Sequence, residues 1–115
     1  MEECVFCKIA SGELKSEKIL ESDNFFAIKD INPKTKGHSL VVSKRHYQTL
    51  LDMPSSLLGE FLEMGKKLAI KLIDEEKAEG FNLIMNNYEV AGQIVPHVHM
   101  HVLPRKKGDV APGLP

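Results

Sequence analysis

The chain has 115 residues, of which 43% are hydrophobic and 27% charged, and this balance excludes a disordered tail. Its net charge of −1 gives no general attraction to nucleic acid or to acidic membranes. No apolar run approaches the ~18 residues of a membrane span, and the acidic start at residues 1–4 differs from a secretion signal. We therefore expect one soluble, cytoplasmic domain over residues 1–115, without a nucleic-acid or membrane partner.

Two apolar segments in the first half of the chain predict a pair of strands. Residues 25–28 indicate a short buried strand, and residues 40–42 are apolar and β-branched. The polar segment between them contains Pro33 and Gly37, which turn the chain. We expect the two strands to be antiparallel neighbours.

Between Pro54 and Gly80 the apolar residues recur at helical spacing, which predicts one long amphipathic helix. The buried stripe is predicted to consist of Leu58, Phe61, Leu62, Leu68, Leu72 and Ile73. Gly59 and Gly65 each cost ~1 kcal/mol relative to Ala inside a helix. Close packing against another element would explain their presence.

Two more strands are predicted in the second half of the chain, at residues 81–86 and 97–103. Four or five short strands around one long helix predict an α+β domain with an antiparallel sheet. Residues 106–115 have no hydrophobic period, and we expect a flexible tail there.

Three histidines, His97, His99 and His101, alternate with apolar residues on the last predicted strand. Because side chains alternate along a strand, the imidazoles share one face and the apolar residues face the core. His97 and His101 would lie ~13 Å apart, too far for all three to bind one metal ion at ~2.0–2.1 Å. The alternative is the solvated face of an edge strand, although such faces usually carry Thr, Lys or Glu.

The polar loop before that strand has the residue types of a small anion site. Gly92 allows backbone N–H groups to approach an anion, and Asn86 and Gln93 add neutral donors. The spacing of Gly59 and Gly65 excludes a P-loop. Histidines that face this loop suggest a phosphate pocket that does not use a P-loop.

The two cysteines, Cys4 and Cys7, have a spacing that both zinc sites and redox sites use. A redox pair normally opens a helix after a strand, and no strand is predicted before Cys4. Zinc requires two more ligands, for which His46 and His97 are available. Free thiols are the third alternative, and the spacing alone leaves all three open.

Residues 92–105, which contain the three alternating histidines, resemble the signature of the histidine triad (HIT) family. The resemblance extends to residues 4–9, 30–38 and 44–46. It implies a HIT-like α+β fold, with an antiparallel sheet of about five strands, one long helix and a short one. It also implies a homodimer whose two sheets join, and a purine nucleotide such as AMP as the ligand.

The resemblance further implies a hydrolase or transferase that attacks the α-phosphorus of nucleoside phosphoramidates or dinucleoside polyphosphates. His99 matches the nucleophile, which forms a covalent nucleotidyl-histidine, and His101 and His38 match other catalytic positions. The positions that match phosphate contacts are Asn86, Gly92, Gln93, His99 and His101. Those that match the ribose and base pocket are Asp30, Ile31, Phe6, Ile9 and Leu14. For Phe6, Ile9 and Leu14 the alternative is plain core packing.

Zinc-containing relatives imply a structural zinc site formed by Cys4, Cys7, His46 and His97, which would keep His97 out of catalysis. Ile94 departs from the family, since many members carry Ser or Thr there, and an aliphatic side chain cannot hydrogen-bond the leaving group. This departure slightly favours a second hypothesis, a nucleotide-binding regulatory partner protein with little turnover. A third, a structural zinc module, would leave two of the triad histidines without a role.

Overall fold

A computed structural model describes residues 4–110 of the chain. The helices are α1 (Val5–Ser11) and α2 (Leu58–Glu76), and short 3-10 turns occupy Leu50–Asp52, Ser55–Leu57 and Glu89–Ala91. The strands are β1 (Leu20–Glu21), β2 (Phe25–Lys29), β3 (Ser39–Ser43), β4 (Gly80–Ile84) and β5 (His99–Arg105). They form one antiparallel sheet in the order β1-β2-β3-β5-β4, which confirms the predicted α+β fold. Neither helix of the described range combines the length and apolar character that crossing a membrane requires.

The bounds of several elements differ from the sequence prediction. Strand β4 ends at Ile84, two residues before the predicted end. Helix α2 ends at Glu76 rather than near Gly80, because Lys77 takes a left-handed conformation (φ 56°) and its N–H caps the carbonyl of Ile73. Strand β5 begins at His99, two residues later than predicted. Strand β1 was not predicted, because two residues carry no readable period.

The sheet separates two hydrophobic clusters. Helix α2 packs on one face, against residues that include Phe25, Val41, Met100 and Val102. Helix α1 covers the other face, where Phe6 and Ile9 pack with Phe26, Ile28, Leu40 and Val42. Successive residues of β2 and β3 enter opposite clusters because strand side chains alternate. On β5, His99 and His101 pair with Val42 and Leu40 and therefore lie on the α1 side.

The buried face of α2 is only partly the predicted one. Phe61, Leu68 and Leu72 are buried as expected, but Leu58 and Leu62 are 41% and 58% exposed. Gly65 faces the sheet instead, and a Cβ added there would overlap the terminal methyl of Met100. Close packing therefore explains Gly65, whereas a Cβ at Gly59 would meet nothing within 4 Å.

The segment after β5 starts with a hydrogen-bonded turn. The N–H of Lys106 donates to the Asp109 carboxylate, and the N–H of Lys107 donates to Glu79. Residues 111–115 lie outside the described range, so the flexible tail expected over 106–115 stays a prediction.

We expect Gly65→Ala to lack the gain in free energy of unfolding that Ala gives elsewhere in a helix, because the new methyl group must displace the terminal methyl of buried Met100, at a cost of about 1 kcal/mol. Gly59→Ala is the matched control in the same helix, and the higher helix propensity of Ala should stabilise it by up to ~1 kcal/mol. Urea unfolding of both variants measures the difference. Equal effects at the two positions would contradict the packing explanation.

Candidate active site and metal centre

The pairing of β3 with β5 brings the candidate catalytic residues into one pocket on the α1 side of the sheet. His38 precedes β3 and is buried, as are His99 and His101 on β5. The ring of His101 lies 5.1 Å from the rings of both His38 and His99, measured between centroids. Asp30, at the end of β2, places a carboxylate oxygen 3.3 Å from His38 Nε2.

The ring of His99 has a defined hydrogen position. Its Nδ1 lies 2.7 Å from the carbonyl oxygen of His97, and a carbonyl only accepts, so Nδ1 carries the hydrogen. The lone pair is therefore on Nε2. Burial lowers the pKa of His99, although the His97 carbonyl and Asp30 act in the opposite direction. A neutral imidazole with Nε2 free can act as a nucleophile near neutral pH.

His38 and His101 form a directed hydrogen-bond chain. The backbone N–H of Lys34 donates to His38 Nδ1 over 3.0 Å, so the hydrogen of the neutral ring is on Nε2. That nitrogen is 3.0 Å from His101 Nδ1, which accepts and leaves the hydrogen of His101 on Nε2. Burial, with smaller contributions from His99 and His38, lowers the pKa of His101 to about 4. The neutral His101 ring can thus donate Nε2–H to an anion.

Asp30, His38 and His101 also bring three metal-binding atoms within 4.8 Å of one another. A metal ion on His38 would have to bind Nε2, because Nδ1 already accepts from the Lys34 N–H. The ring would then have to lose both hydrogens, which an imidazole does not do near neutral pH. The hydrogen bonds therefore favour a chain that fixes the orientation of the rings over a metal site in this cluster.

A second cluster, unlike that of Asp30, His38 and His101, has a hydrogen-bond pattern that suits a metal ion. The ligand atoms of Cys4, Cys7, His46 and His97 lie within 4.8 Å of one another. His97 Nδ1 is 3.2 Å from Cys4 Sγ, and His46 Nδ1 is 3.2 Å from Cys7 Sγ. These separations are near the ~3.5 Å expected between ligands around a tetrahedral zinc ion.

The protonation of His97 also fits metal binding. Its Nε2 donates to the Ser43 carbonyl over 2.7 Å, which leaves the Nδ1 lone pair directed at the thiols. Burial is the main cause that lowers the pKa of His97 to about 4, so the ring stays neutral. Two thiols and two imidazoles are the donor set of a closed structural zinc site.

The loop before β5 uses its donors differently from the sequence prediction. The backbone N–H groups of Gly92 and Gln93 donate to Glu89 and Tyr88 within the loop. The Gln93 side chain accepts from the Tyr88 N–H and donates to the Gln48 carbonyl. The Asn86 side-chain amide and the Ile94 N–H are among the donors of this loop that have no partner within residues 4–110. These two are the better candidates for binding a phosphate.

The residues expected to bind the ribose and base lie in different surroundings. Phe6 and Ile9 are buried in the α1-side cluster, whereas Leu14 is 44% and Ile31 91% exposed. Ile9 and Leu14 line an open cleft of about 560 Å³ beside α1. Phe6 instead packs its ring against His97 and His99. The cleft suits an apolar base, and Phe6 faces the triad.

Two groups at the site were missed by the sequence analysis. The Lys34 N–H orients His38, and the Ser43 carbonyl orients His97. Both act through the main chain, so their side-chain types carried no signal. Only the register of the strands could have located them.

Comparisons with known proteins identify the family of the chain. The family model described as HIT domain matches residues 11–108. The chain is 39% identical over 115 residues to the adenosine 5′-monophosphoramidase of Candida albicans, and the matched region covers 96% of this chain and 74% of the relative. It is 38% identical over 107 residues to the adenylylsulfatase of Arabidopsis thaliana, and the matched region covers 93% of this chain and 54% of the relative. A zinc-bound histidine triad family protein from Mycobacterium smegmatis has a TM-score of 0.90 at 38% identity, with 96% of this chain and 80% of that chain covered.

Fold and site together define a small α+β protein with a row of buried, neutral histidines beside a cluster of cysteines and histidines. The chain belongs to the HIT domain family. This confirms the resemblance inferred from the triad signature.

We expect the free energy of unfolding to fall as the pH decreases from 6.5 towards 4. The pKa of His101 is lowered from 6.5 to about 4 in the folded chain, so in this interval the unfolded chain binds a proton that the folded chain does not. Above pH 6.5 His101 is neutral in both the folded and the unfolded chain, so it no longer makes the free energy of unfolding depend on pH. Urea unfolding over this range measures the dependence, and His101→Asn should make it shallower. An unchanged slope in this variant would contradict the assignment.

Proposed function

We propose that the chain is a nucleotide hydrolase or transferase that attacks the α-phosphorus of nucleoside phosphoramidates or dinucleoside polyphosphates through His99. The observation that carries the proposal is the 2.7 Å contact of His99 Nδ1 with the His97 carbonyl, which leaves Nε2 of a neutral ring as the attacking atom. The names of the Candida albicans and Arabidopsis thaliana relatives support cleavage at an adenosine 5′-phosphate.

The reaction proceeds in two displacements. In the first, His99 Nε2 forms a bond to phosphorus, and the bond to the leaving group breaks with its electron pair on the leaving group. In the second, water attacks phosphorus and releases the nucleotide, and His99 is regenerated. Donors such as His101 Nε2–H and the Asn86 amide stabilise charge on the phosphoryl oxygens, and each is worth about 2.7–4 kcal/mol of barrier.

Protonation of the leaving group comes from solvent, and the water of the second displacement returns one proton. Ile94 has no hydroxyl to supply a proton. The neutral rings of His38 and His101 carry one hydrogen each, so the pair cannot release a proton without forming an imidazolate. The Nε2–H of His38 instead donates to His101 Nδ1, 3.0 Å away, and so fixes the donor hydrogen of His101 on Nε2. Asp30 orients His38, since its carboxylate lies 3.3 Å from His38 Nε2.

The ligand is a purine nucleotide such as AMP. Asp30 accepts hydrogen bonds from the ribose hydroxyls, and the cleft beside α1 receives the base against Ile9 and Leu14. Ile31, which is 91% exposed, does not line this cleft. Apolar walls stack on any base and discriminate weakly.

The cysteine and histidine cluster holds a structural zinc ion. The zinc ion would connect the start of the chain to the segment before β5 and occupy His97 Nδ1. Support comes from the direction of the His97 lone pair and from the zinc named in the Mycobacterium smegmatis structure.

Protein purified without added zinc should contain about one zinc ion per chain, because the folded ligand set is pre-arranged. Cys7→Ser should lower both zinc content and Tm, whereas Ser11→Ala at the other end of α1 should change neither. Elemental analysis and thermal unfolding measure this. Less than about 0.2 equivalents in a fully stable wild type would contradict the site.

The proposed assembly is a cytoplasmic homodimer joined through β4. This strand lies at the edge of the sheet, and its Phe81 and Leu83 are 45% and 37% exposed. An edge strand with apolar side chains can pair with a second copy. Analytical ultracentrifugation that detects a monomer at micromolar concentration would contradict this arrangement.

Hydrolysis of adenosine 5′-phosphoramidate by the wild type and by His99→Ala tests the catalytic proposal. We expect the variant to lose at least ~10³-fold in kcat while it still binds AMP, because only the attacking atom is removed. Mass spectrometry of quenched wild type should detect a nucleotidyl adduct on His99.

Ile94 favours a second candidate, a nucleotide-binding regulatory partner with little turnover. Equal turnover by wild type and His99→Ala would exclude His99 as the nucleophile. AMP binding without turnover of the phosphoramidate or of dinucleoside polyphosphates would support the regulatory role.

A further inference from the structure

Helix α1 is joined to the rest of the chain by few polar contacts. It has seven residues, fewer than the ~12–15 that an isolated helix needs to persist in water. Apart from local bonds to Glu13 and Leu14, which follow directly in the chain, the hydrogen bonds that join α1 and its cap to the rest of residues 4–110 run from the two cysteines to His46 and His97. Its two buried apolar anchors are Phe6 and Ile9. The position of α1 therefore depends on the metal cluster as well as on these anchors.

Phe6 lies between the two cysteines in sequence and touches the triad in space. Its ring centroid is 5.6 Å from that of His97 and 5.2 Å from that of His99, with the planes at 81° and 63°. Both contacts are of the edge-to-face kind, which orients aromatic rings. Phe6 is 6% exposed, so its ring is packed on nearly all sides and its position follows that of α1.

Besides the edge-to-face contact with His101, two groups hold the ring of His99. Its Nδ1–H donates to the His97 carbonyl, and its flank rests against Phe6. One hydrogen bond alone leaves an imidazole free to tilt, so the second contact sets the direction of Nε2. The carbonyl is that of His97, whose side chain is a ligand of the proposed zinc site. Phe6 lies between Cys4 and Cys7, which are two further ligands of the same site. Both constraints on His99 therefore depend on the same cluster.

We propose that α1 is a metal-anchored positioning element for the nucleophile, with Phe6 as the positioning residue. Metal binding to Cys4 and Cys7 holds α1 on the sheet, and Phe6 then keeps His99 Nε2 directed at phosphorus. The inference rests on the proposed role of His99 as nucleophile. It places Phe6, which the family resemblance assigns to the base pocket, in contact with the nucleophile instead. Loss of the metal lowers the rate of nucleotidyl transfer without removing a catalytic group.

Phe6→Leu tests the ring contact, because Leu keeps apolar volume in α1 but has no ring edge. We expect kcat for adenosine 5′-phosphoramidate to fall about 10- to 100-fold, since small misplacements of a reacting group have effects of this size. KM and zinc content should not change. Val5→Ala is the control, because it removes apolar volume from the same helix and cluster without removing a ring contact with His99. A rise in KM alone for Phe6→Leu would overturn the inference in favour of base binding.

A second measurement needs no substrate. Nitrogen-15 NMR of zinc-loaded protein, at a pH where His99 is neutral, should detect its hydrogen on Nδ1 alone. Phe6→Leu, or removal of zinc by a chelator, should add the Nε2–H form, and returning zinc to the wild type should reverse the change. Amide hydrogen exchange over Val5–Ser11 should accelerate when zinc is removed.

The outcomes separate the two proposals. A His99 spectrum and an α1 protection that do not respond to zinc would overturn the positioning role. If the His99 spectrum responds to zinc as expected but the wild type does not turn over adenosine 5′-phosphoramidate, the proposed function is overturned and the positioning role is not. If zinc removal also accelerates exchange in α2, the whole chain has unfolded, and the ring spectrum of zinc-loaded Phe6→Leu then decides.

Discussion

The antiparallel pairing of β3 with β5 is the constraint on which the site depends. It places the carbonyl of Ser43 at the ring of His97 and brings His38, at the start of β3, against His101. It also puts Leu40 and Val42 on the same face as the histidines, so the imidazoles share a face with apolar side chains. A shift of one residue in this register would turn every histidine of β5 to the opposite face.

Burial among apolar side chains determines what the histidines can do. Water stabilises the charged imidazolium, and its exclusion favours the neutral ring, which is the form that donates, accepts and attacks. Each neutral ring then needs a partner that selects which nitrogen carries the hydrogen. The main chain supplies that partner for three of the rings, through the Lys34 N–H and the carbonyls of Ser43 and His97.

The alternation of residues 97–102 was sufficient to predict which side chains share a face, because a strand has a fixed period of two. The exposure of Leu58 and Leu62 could not be predicted, since both fit a helical stripe and the packing of Gly65 on Met100 decides which face is buried. The internal hydrogen bonds of the Gly92 and Gln93 N–H groups could not be predicted, because they depend on the short 3-10 turn of this loop. The contact of Phe6 with His99 joins residues that are distant in sequence, and no local pattern reports such a contact.

The separation of the two clusters by the sheet has a consequence for how this chain can vary. Ala27 and Val41 enter the α2-side cluster, while their neighbours Phe26 and Val42 enter the cluster under α1. The strands themselves form the barrier between these interiors. Substitutions beneath α2 that keep side-chain volume can therefore change thermostability while the strands hold the histidine side in place, whereas substitutions that move a strand act on both interiors.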